Sequence, residues 1–344
     1  MDNLHELIRR SGYRMPKGLA FRILKPLMGR KPLDIWSLVR ESQGNLKMTA
    51  AFLQAMKDSG LLQVSKGRVA LTRDGLAFCR ELNIGASFFP GYQHKIDPVL
   101  RKFRNDLDKI RKSFSPKLKF DQSPTTTESL LRMASFMSES GDLAGKSVMC
   151  VGDEDFFSLL LALSKLPAHI AVADRDERVL GIIENSSRGL GLEIETHLYN
   201  PITPLPKKLS NRFDVFVARP PATVAGTSLF LVRGLESLKK GSGRHGYFTA
   251  DPVWTPPEGI VEIERVLGKM DLSVTETRKA MMAEIQSDED SKNVPIWLRT
   301  IPKEPWTYLD VVRIETKAGS RPFVEEEWGS LVYNYDYDNK TYLE

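Results

Sequence analysis

The chain has 344 residues, 41% of them hydrophobic and 27% charged, with a formal net charge of +5, the balance of a globular protein long enough for two domains. Its only cysteines, Cys79 and Cys150, exclude a disulfide framework and a four-cysteine zinc site. No apolar run approaches the ~20 residues of a membrane span, and the opening Met1-Asp2-Asn3-Leu4-His5-Glu6 lacks the charge and apolar block of a signal peptide, so a cytoplasmic protein is expected.

Residues 1–90 read as a small helical domain. Gly18–Met28, Pro32–Glu41 and Lys47–Ser59 show helix-like apolar spacing. The run from Leu61 to Thr72 reads as a β-hairpin turning at Lys66-Gly67, and Arg73–Leu82 as a closing helix. Three helices and a hairpin make a winged-helix pattern. The helix that would read DNA carries only Lys47 and Lys57 at its ends, which is poor in base-reading side chains. Residues 91–119 form a basic linker in which Leu100, Phe103, Leu107 and Ile110 keep helical spacing among nine Lys and Arg. A solvated amphipathic helix accounts for that pattern better than a nucleic-acid patch does.

From Phe120 onward, residues 120–344 alternate as an α/β domain with a parallel sheet and crossover helices. Ser147–Val151 is a short apolar strand that stops at Gly152, and Asp155 is expected to cap the apolar helix that follows. His169–Ala173 is a second buried strand, ending on Asp174 and Asp176. Glu177–Arg188 reads as a helix ended by Gly189, Leu192–His197 as strand three and Phe213–Ala218 as strand four. The helix Thr227–Leu238, the strand Gly246–Thr249 and the helix Pro257–Lys269 follow, with last strands at Leu272–Thr277 and Leu309–Glu315. The tail Trp328–Glu344 interleaves tyrosines with Asp336 and Asp338.

In such sheets ligands bind beyond the carboxyl ends of the strands. The glycine-rich dinucleotide fingerprint is absent, and the first turn is Gly152-Asp153-Glu154-Asp155. Three acids there would repel a pyrophosphate and suit a cation such as a sulfonium or a polyamine. An acid after strand two commonly binds the hydroxyls of an adenosine ribose, which suits Asp174 and Asp176. Asn200, after strand three, has the donor and acceptor needed by an adenine edge. An amine must lose a proton before it attacks a carbon beside a sulfonium, and carboxylates can bind the ammonium and accept that proton. Asp153 and Asp155 are the candidates for this role.

The stretch from Asp121-Gln122 to Glu128, the turn Gly152-Asp153-Glu154-Asp155, the segment Tyr199-Asn200 to Pro206 and Pro220-Pro221-Ala222-Thr223 occur in an order that resembles the branched-chain polyamine synthases. These are also called N(4)-bis(aminopropyl)spermidine synthases, of archaea and thermophilic bacteria. The resemblance runs from about Phe120 to the tail. It implies a Rossmann-like transferase fold preceded by a winged helix, and transfer of aminopropyl groups from decarboxylated S-adenosylmethionine to an amine, releasing methylthioadenosine. Gly152, Glu154, Asp174, Asp176, Asn200 and Gln122 are then read as contacts of S-adenosylmethionine or its decarboxylated form. Arg219, Tyr247, Asp336 and Asp338 are read as substrate contacts, and no metal is expected.

The chain departs from the family at several points. The family's Gly-Asp-Asp-Asp turn has glutamate at its third position here, and Asn200 stands where the family has an acid. A paired-cysteine segment between the domains is absent, and the family's Asp-Pro-Pro is Arg219-Pro220-Pro221. Arg219 would repel a cationic acceptor, bind a ligand carboxylate, or escape by pairing with Asp153 or Glu154. The partner expected is a small amine rather than a nucleic acid, and the chain is expected to be a homodimer. A methyltransferase on the same scaffold and a non-catalytic winged-helix ligand sensor are the alternative readings.

Overall fold

The structure is a computed structural model that describes residues 2–29, 31–84, 93–284, 294–302 and 304–334. The N-terminal unit runs α1 (Asp2–Arg10), α2 (Lys17–Leu27), β1 (Leu33–Asp34), α3 (Ile35–Ser42), α4 (Leu46–Asp58), β2 (Leu62–Ser65), β3 (Arg68–Leu71) and α5 (Arg73–Glu81). Its three strands pair antiparallel in the order β1-β3-β2. Local chemistry sets the helix starts: the side chains of Asp34, Asn45 and Thr72 accept from the backbone N–H of Ser37, Met48 and Gly75. The hairpin turns where expected, with Lys66 and Gly67 both at positive φ, as a two-residue turn of this hand requires. Helix α1 was not anticipated. It forms because Leu4 and Leu7 recur at helical spacing and are buried.

The N-terminal unit does not stand apart. Its core continues into Val253, Val294, Leu298 and Trp306. Trp306 packs between Trp36, at 4.6 Å between ring centroids, and Trp254, at 6.2 Å. The start of α4 docks by backbone, Leu46 N donating to Val253 O (2.9 Å) and Asn45 Nδ2 to Trp254 O (3.3 Å). The hairpin tip packs on residues 299–300, where a Cβ at Gly67 would lie 2.6 Å from the Thr300 side chain. The end of α4 that would read a DNA groove is therefore an internal joint.

The basic segment holds two short helices, α6 (Pro98–Arg101) and α7 (Arg104–Arg111). Its face is less solvated than expected. Leu100 and Leu107 are buried in the second core, and α7 packs on α8 (Thr127–Glu139). Helix α8, unread in the sequence, is capped by Thr126, which accepts from Ser129 N.

The α/β domain continues with β4 (Ser147–Val151), α9 (Phe157–Ser164), β5 (His169–Asp174), α10 (Glu177–Leu190), β6 (Glu195–Leu198), β7 (Val215–Ala218), α11 (Val224–Ser237), β8 (His245–Ala250), α12 (Pro257–Lys269), β9 (Leu272–Ala283), β10 (Tyr308–Thr316) and α13 (Trp328–Leu331). The sheet order is β6-β5-β4-β7-β8-β10-β9. The first five strands are parallel, and β10 runs antiparallel to β8 and β9. The order reverses at β4, so β4 and β7 open a crevice at their carboxyl ends. Close packing holds the centre of the sheet: a Cβ at Gly234 or Gly246 would lie 2.4 or 2.3 Å from the Phe216 ring.

Two boundaries differ from the sequence reading for physical reasons. Helix α10 passes Gly189 and ends at Gly191, which supplies the left-handed C-cap. Strand β9 runs six residues beyond Thr277, through Ala280 at φ 47 and an irregularity in its pairing with β10. Among the described residues, no helix is long and apolar enough to cross a membrane.

Candidate active site

At the carboxyl ends of the central strands lies a cavity of about 780 Å³. Seven carboxylates line it, from Asp121, Asp153, Glu154, Asp155, Asp174, Asp251 and Glu284, against four cations, from Lys47, Arg111, Arg175 and Arg219. The strand-end acids meet here because parallel strands all point their carboxyl ends one way. Lys47 and Trp254 belong to the joint with the N-terminal unit, which forms one wall.

The first turn differs in one respect from the sequence reading. Asp153, not Asp155, caps α9: Asp153 Oδ1 accepts from Phe157 N (2.7 Å) and Oδ2 from Ser158 N (3.1 Å). Phe156, fully buried, sits at φ 60. A bulky residue rarely takes that conformation, and it swings the chain so that the earlier acid reaches back over the helix start. Burial pushes the Asp153 carboxyl up to about 8, against the pull of the Ser158 and Phe157 donors.

Asp155 is thereby released for another role. Its Oδ1 accepts from Thr125 N (2.8 Å) and lies 3.3 Å from the Arg111 guanidinium. Its Oδ2 is buried and accepts no hydrogen bond, with Arg219 Nη1 3.6 Å away as an ion-pair partner. An ionised carboxylate oxygen without a donor is expensive to keep. It is the one acid of the turn still able to take a proton or an ammonium.

Asp174 ties the first two strand ends together. Its Oδ2 accepts from Asp153 N and its Oδ1 from Asp176 N, each at 2.8 Å. Burial raises its pKa, opposed by those two backbone donors. Each oxygen keeps a further lone pair facing the cavity. Asp176 sits behind it. It caps α10, is buried against Arg178 and Gln122, and does not line the cavity. Burial alone would raise the Asp176 pKa, but hydrogen bonds from Arg178 and Gln122 hold it low. Gln122 reaches the cavity wall, yet its amide is committed to Asp176, Arg178 and Lys117 N.

Arg219 takes the escape open to it, though not through Asp153. Its Nη1 donates to Glu154 and its Nη2 to Glu284 and to the Ser123 carbonyl. Glu154 also accepts from Ser123 N (3.2 Å). Only Arg219 Nε, buried, lacks an acceptor. With both amino groups committed, Arg219 has little to offer a ligand carboxylate.

Three expected contacts lie elsewhere. Asn200 is exposed and its Oδ1 accepts from Ile202 N (3.2 Å). It borders a shallow depression next to the cavity, sharing Phe120 and Arg175 with it. Tyr247 is fully buried inside β8 and donates to Asp142 (2.5 Å), beside Arg313. It is a core residue, since mid-strand side chains of a covered sheet cannot reach the strand ends. Asp336 and Asp338 lie outside the described residues. The described end of the tail does reach the cavity: Tyr333 lines it, with its ring 4.3 Å from the Arg175 guanidinium.

Sequence reasoning missed Asp251, Glu284 and Arg111. Asp251 follows β8 as Asp174 ends β5, so the rule that found one should have found the other. Its Oδ1 accepts from Val253 N and Trp254 N, and burial, reinforced by Glu284, raises its pKa. Glu284 had no such signal, because the end of β9 was not read. Among the described residues, no group of three or more His, Cys, Asp or Glu could hold a metal ion.

Comparison with known proteins agrees with this arrangement. Residues 99–339 match the family model described as the branched-chain polyamine synthase A C-terminal domain. The N(4)-bis(aminopropyl)spermidine synthase of Thermococcus kodakarensis is 30% identical over 306 residues, covering 85% of this chain and 86% of the relative. That of Methanocaldococcus jannaschii is 29% identical over 313 residues, 88% of this chain and 89% of the relative. The crystal structure of the branched-chain polyamine synthase from Thermus thermophilus, in complex with N4-aminopropylspermidine and 5'-methylthioadenosine, has the same fold. Its TM-score is 0.77 at 23% identity, over 93% of this chain and 92% of that one.

Proposed function

Since the chain belongs to the branched-chain polyamine synthase family, we propose that it transfers an aminopropyl group from decarboxylated S-adenosylmethionine to an amine. The unpartnered, buried Asp155 Oδ2 in a cavity richer in acids than in cations carries this reading. A cationic donor and a cationic acceptor are what such a cavity attracts. Asp174 accepts the donor's ribose hydroxyls. Asp153 holds the turn and faces the sulfonium with its charge. The acceptor amine gives its proton to Asp155, and its nitrogen lone pair forms the bond to the aminopropyl carbon. The carbon–sulfur bond breaks, its electron pair stays on sulfur, and neutral methylthioadenosine leaves. Intact S-adenosylmethionine fits less well, because its carboxylate would meet the acids while Arg219 is already engaged.

The N-terminal unit, with its helices and hairpin, is a winged helix in this reading, used as a cavity wall through Lys47 rather than as a nucleic-acid reader. Tyr333 and the residues after it close the cavity over the bound ligands.

The test is to incubate the protein with decarboxylated S-adenosylmethionine and a series of amines, and to follow methylthioadenosine by chromatography. Amine-dependent release is expected, with none from intact S-adenosylmethionine. Absence of release with every amine would sink the proposal. Asp174→Ala should weaken methylthioadenosine binding by roughly 1–2 kcal/mol, the cost of losing hydrogen bonds to a charged group. Equal affinity of variant and parent, by titration calorimetry, would remove Asp174 from the ribose site.

A further inference from the structure

We propose that Arg219 is a built-in stand-in for one acceptor ammonium, so that this chain takes an amine with two cationic nitrogens in preference to one with three. The inference rests on the aminopropyl-transfer reading and names the acceptor class of that same site.

The sheet order divides the cavity. Asp174 and Asp153 sit over β5 and β4, the half assigned to the adenosyl donor. Asp251 ends β8 and Glu284 follows β9, on the far side of β7. Glu154, Asp155, Asp251 and Glu284 therefore form the acceptor half. Two cations already stand among them: Arg219 against Glu154, Glu284 and Asp155, and Arg111 against Asp155. Four carboxylates less two guanidinium groups leave two negative charges for a ligand.

Arg219 is held as a bound ammonium would be. Its side chain is 17% exposed, both amino groups donate to carboxylates, and a backbone carbonyl takes a further bond. A ligand ammonium cannot displace it, because the guanidinium is tethered to the end of β7. An ammonium brought to ~4 Å from it at an effective dielectric of 20 is disfavoured by about a thousandfold. A triamine has to put its third charge there or hold it in solvent. A diamine avoids the conflict and still leaves Asp155 Oδ2, buried and without a donor, for the attacking nitrogen.

The experiment measures kcat/KM for 1,4-diaminobutane and for spermidine, by methylthioadenosine release, in the parent, Arg219→Lys and Arg219→Met. The expected parent prefers the diamine by about tenfold or more. Arg219→Lys keeps that preference, because it keeps the charge. Arg219→Met lowers the ratio at least about tenfold, mainly by lowering KM for spermidine rather than by changing kcat. A parent that prefers spermidine overturns the inference, and so does a ratio that is the same in parent and Arg219→Met. If Arg219→Met does not fold, the parent's own ratio and that of Arg219→Lys decide. A parent that releases methylthioadenosine with spermidine alone defeats this inference and leaves aminopropyl transfer standing. Release with neither amine defeats both.

Discussion

Asp155→Asn is expected to lower turnover by about 10²-fold or more while leaving the fold and methylthioadenosine binding nearly unchanged. The reasoning is geometric. Asn Oδ1 can still accept from Thr125 N and face Arg111, as Asp155 Oδ1 does. What is lost is the second oxygen, Oδ2, which has no donor in the folded protein and is the proton acceptor in the proposed step. Removal of a general base typically costs 10²–10⁴-fold. The same substitution at Asp153 should behave differently. An amide there turns an N–H toward Phe157 N or Ser158 N and leaves a buried donor unpaired, which costs about 1–3 kcal/mol of stability. Single-turnover methylthioadenosine release and thermal unfolding of both variants separate a base from a cap. An Asp155→Asn enzyme as fast as the parent would return that residue to a structural role.

The exchange of roles between Asp153 and Asp155 shows where sequence reading stops. Ser147–Val151 and Pro257–Lys269 end where their residues say they should, because an apolar run meeting glycine, or a proline opening an amphipathic helix, is a local signal. The cap of α9 is also local, but it depends on Phe156 entering the left-handed region, which nothing in its identity announces. Glu284 and Arg111 are further from reach. Glu284 arrives because β9 continues through Ala280 at positive φ, and Arg111 because Leu107 anchors α7 in the core beside α8. Both placements are decided by packing against distant elements. Tyr247 failed in the opposite direction. Its position near a strand suggested a site residue, while its depth inside β8 makes it a core tyrosine satisfied by Asp142.

Binding of decarboxylated S-adenosylmethionine is expected to expel a proton and to tighten by about tenfold per pH unit between about pH 6 and 8. Burial holds Asp153 protonated up to about 8, and it raises Asp174, Asp251 and Glu154 as well, Glu154 against the pull of Arg219. An unfolded aspartate titrates near 3.9. Between about pH 4 and 8 the folded chain therefore keeps a proton on Asp153 that the unfolded chain has lost. The stability that this group contributes is full below about pH 4 and is lost as pH rises through about 8. A donor with a sulfonium and an ammonium favours the ionised carboxyl, so its binding drives the proton out, and higher pH helps until Asp153 is already ionised. Methylthioadenosine carries neither charge and should bind with little pH dependence over the same range. Calorimetric titrations at pH 6.5 in two buffers of different ionisation enthalpy should give different apparent enthalpies for the donor and equal ones for methylthioadenosine. Donor affinities that agree at pH 6 and pH 8, with no dependence of the enthalpy on buffer, would mean that Asp153 is already ionised in the free protein and that its burial is answered by the two backbone donors of α9.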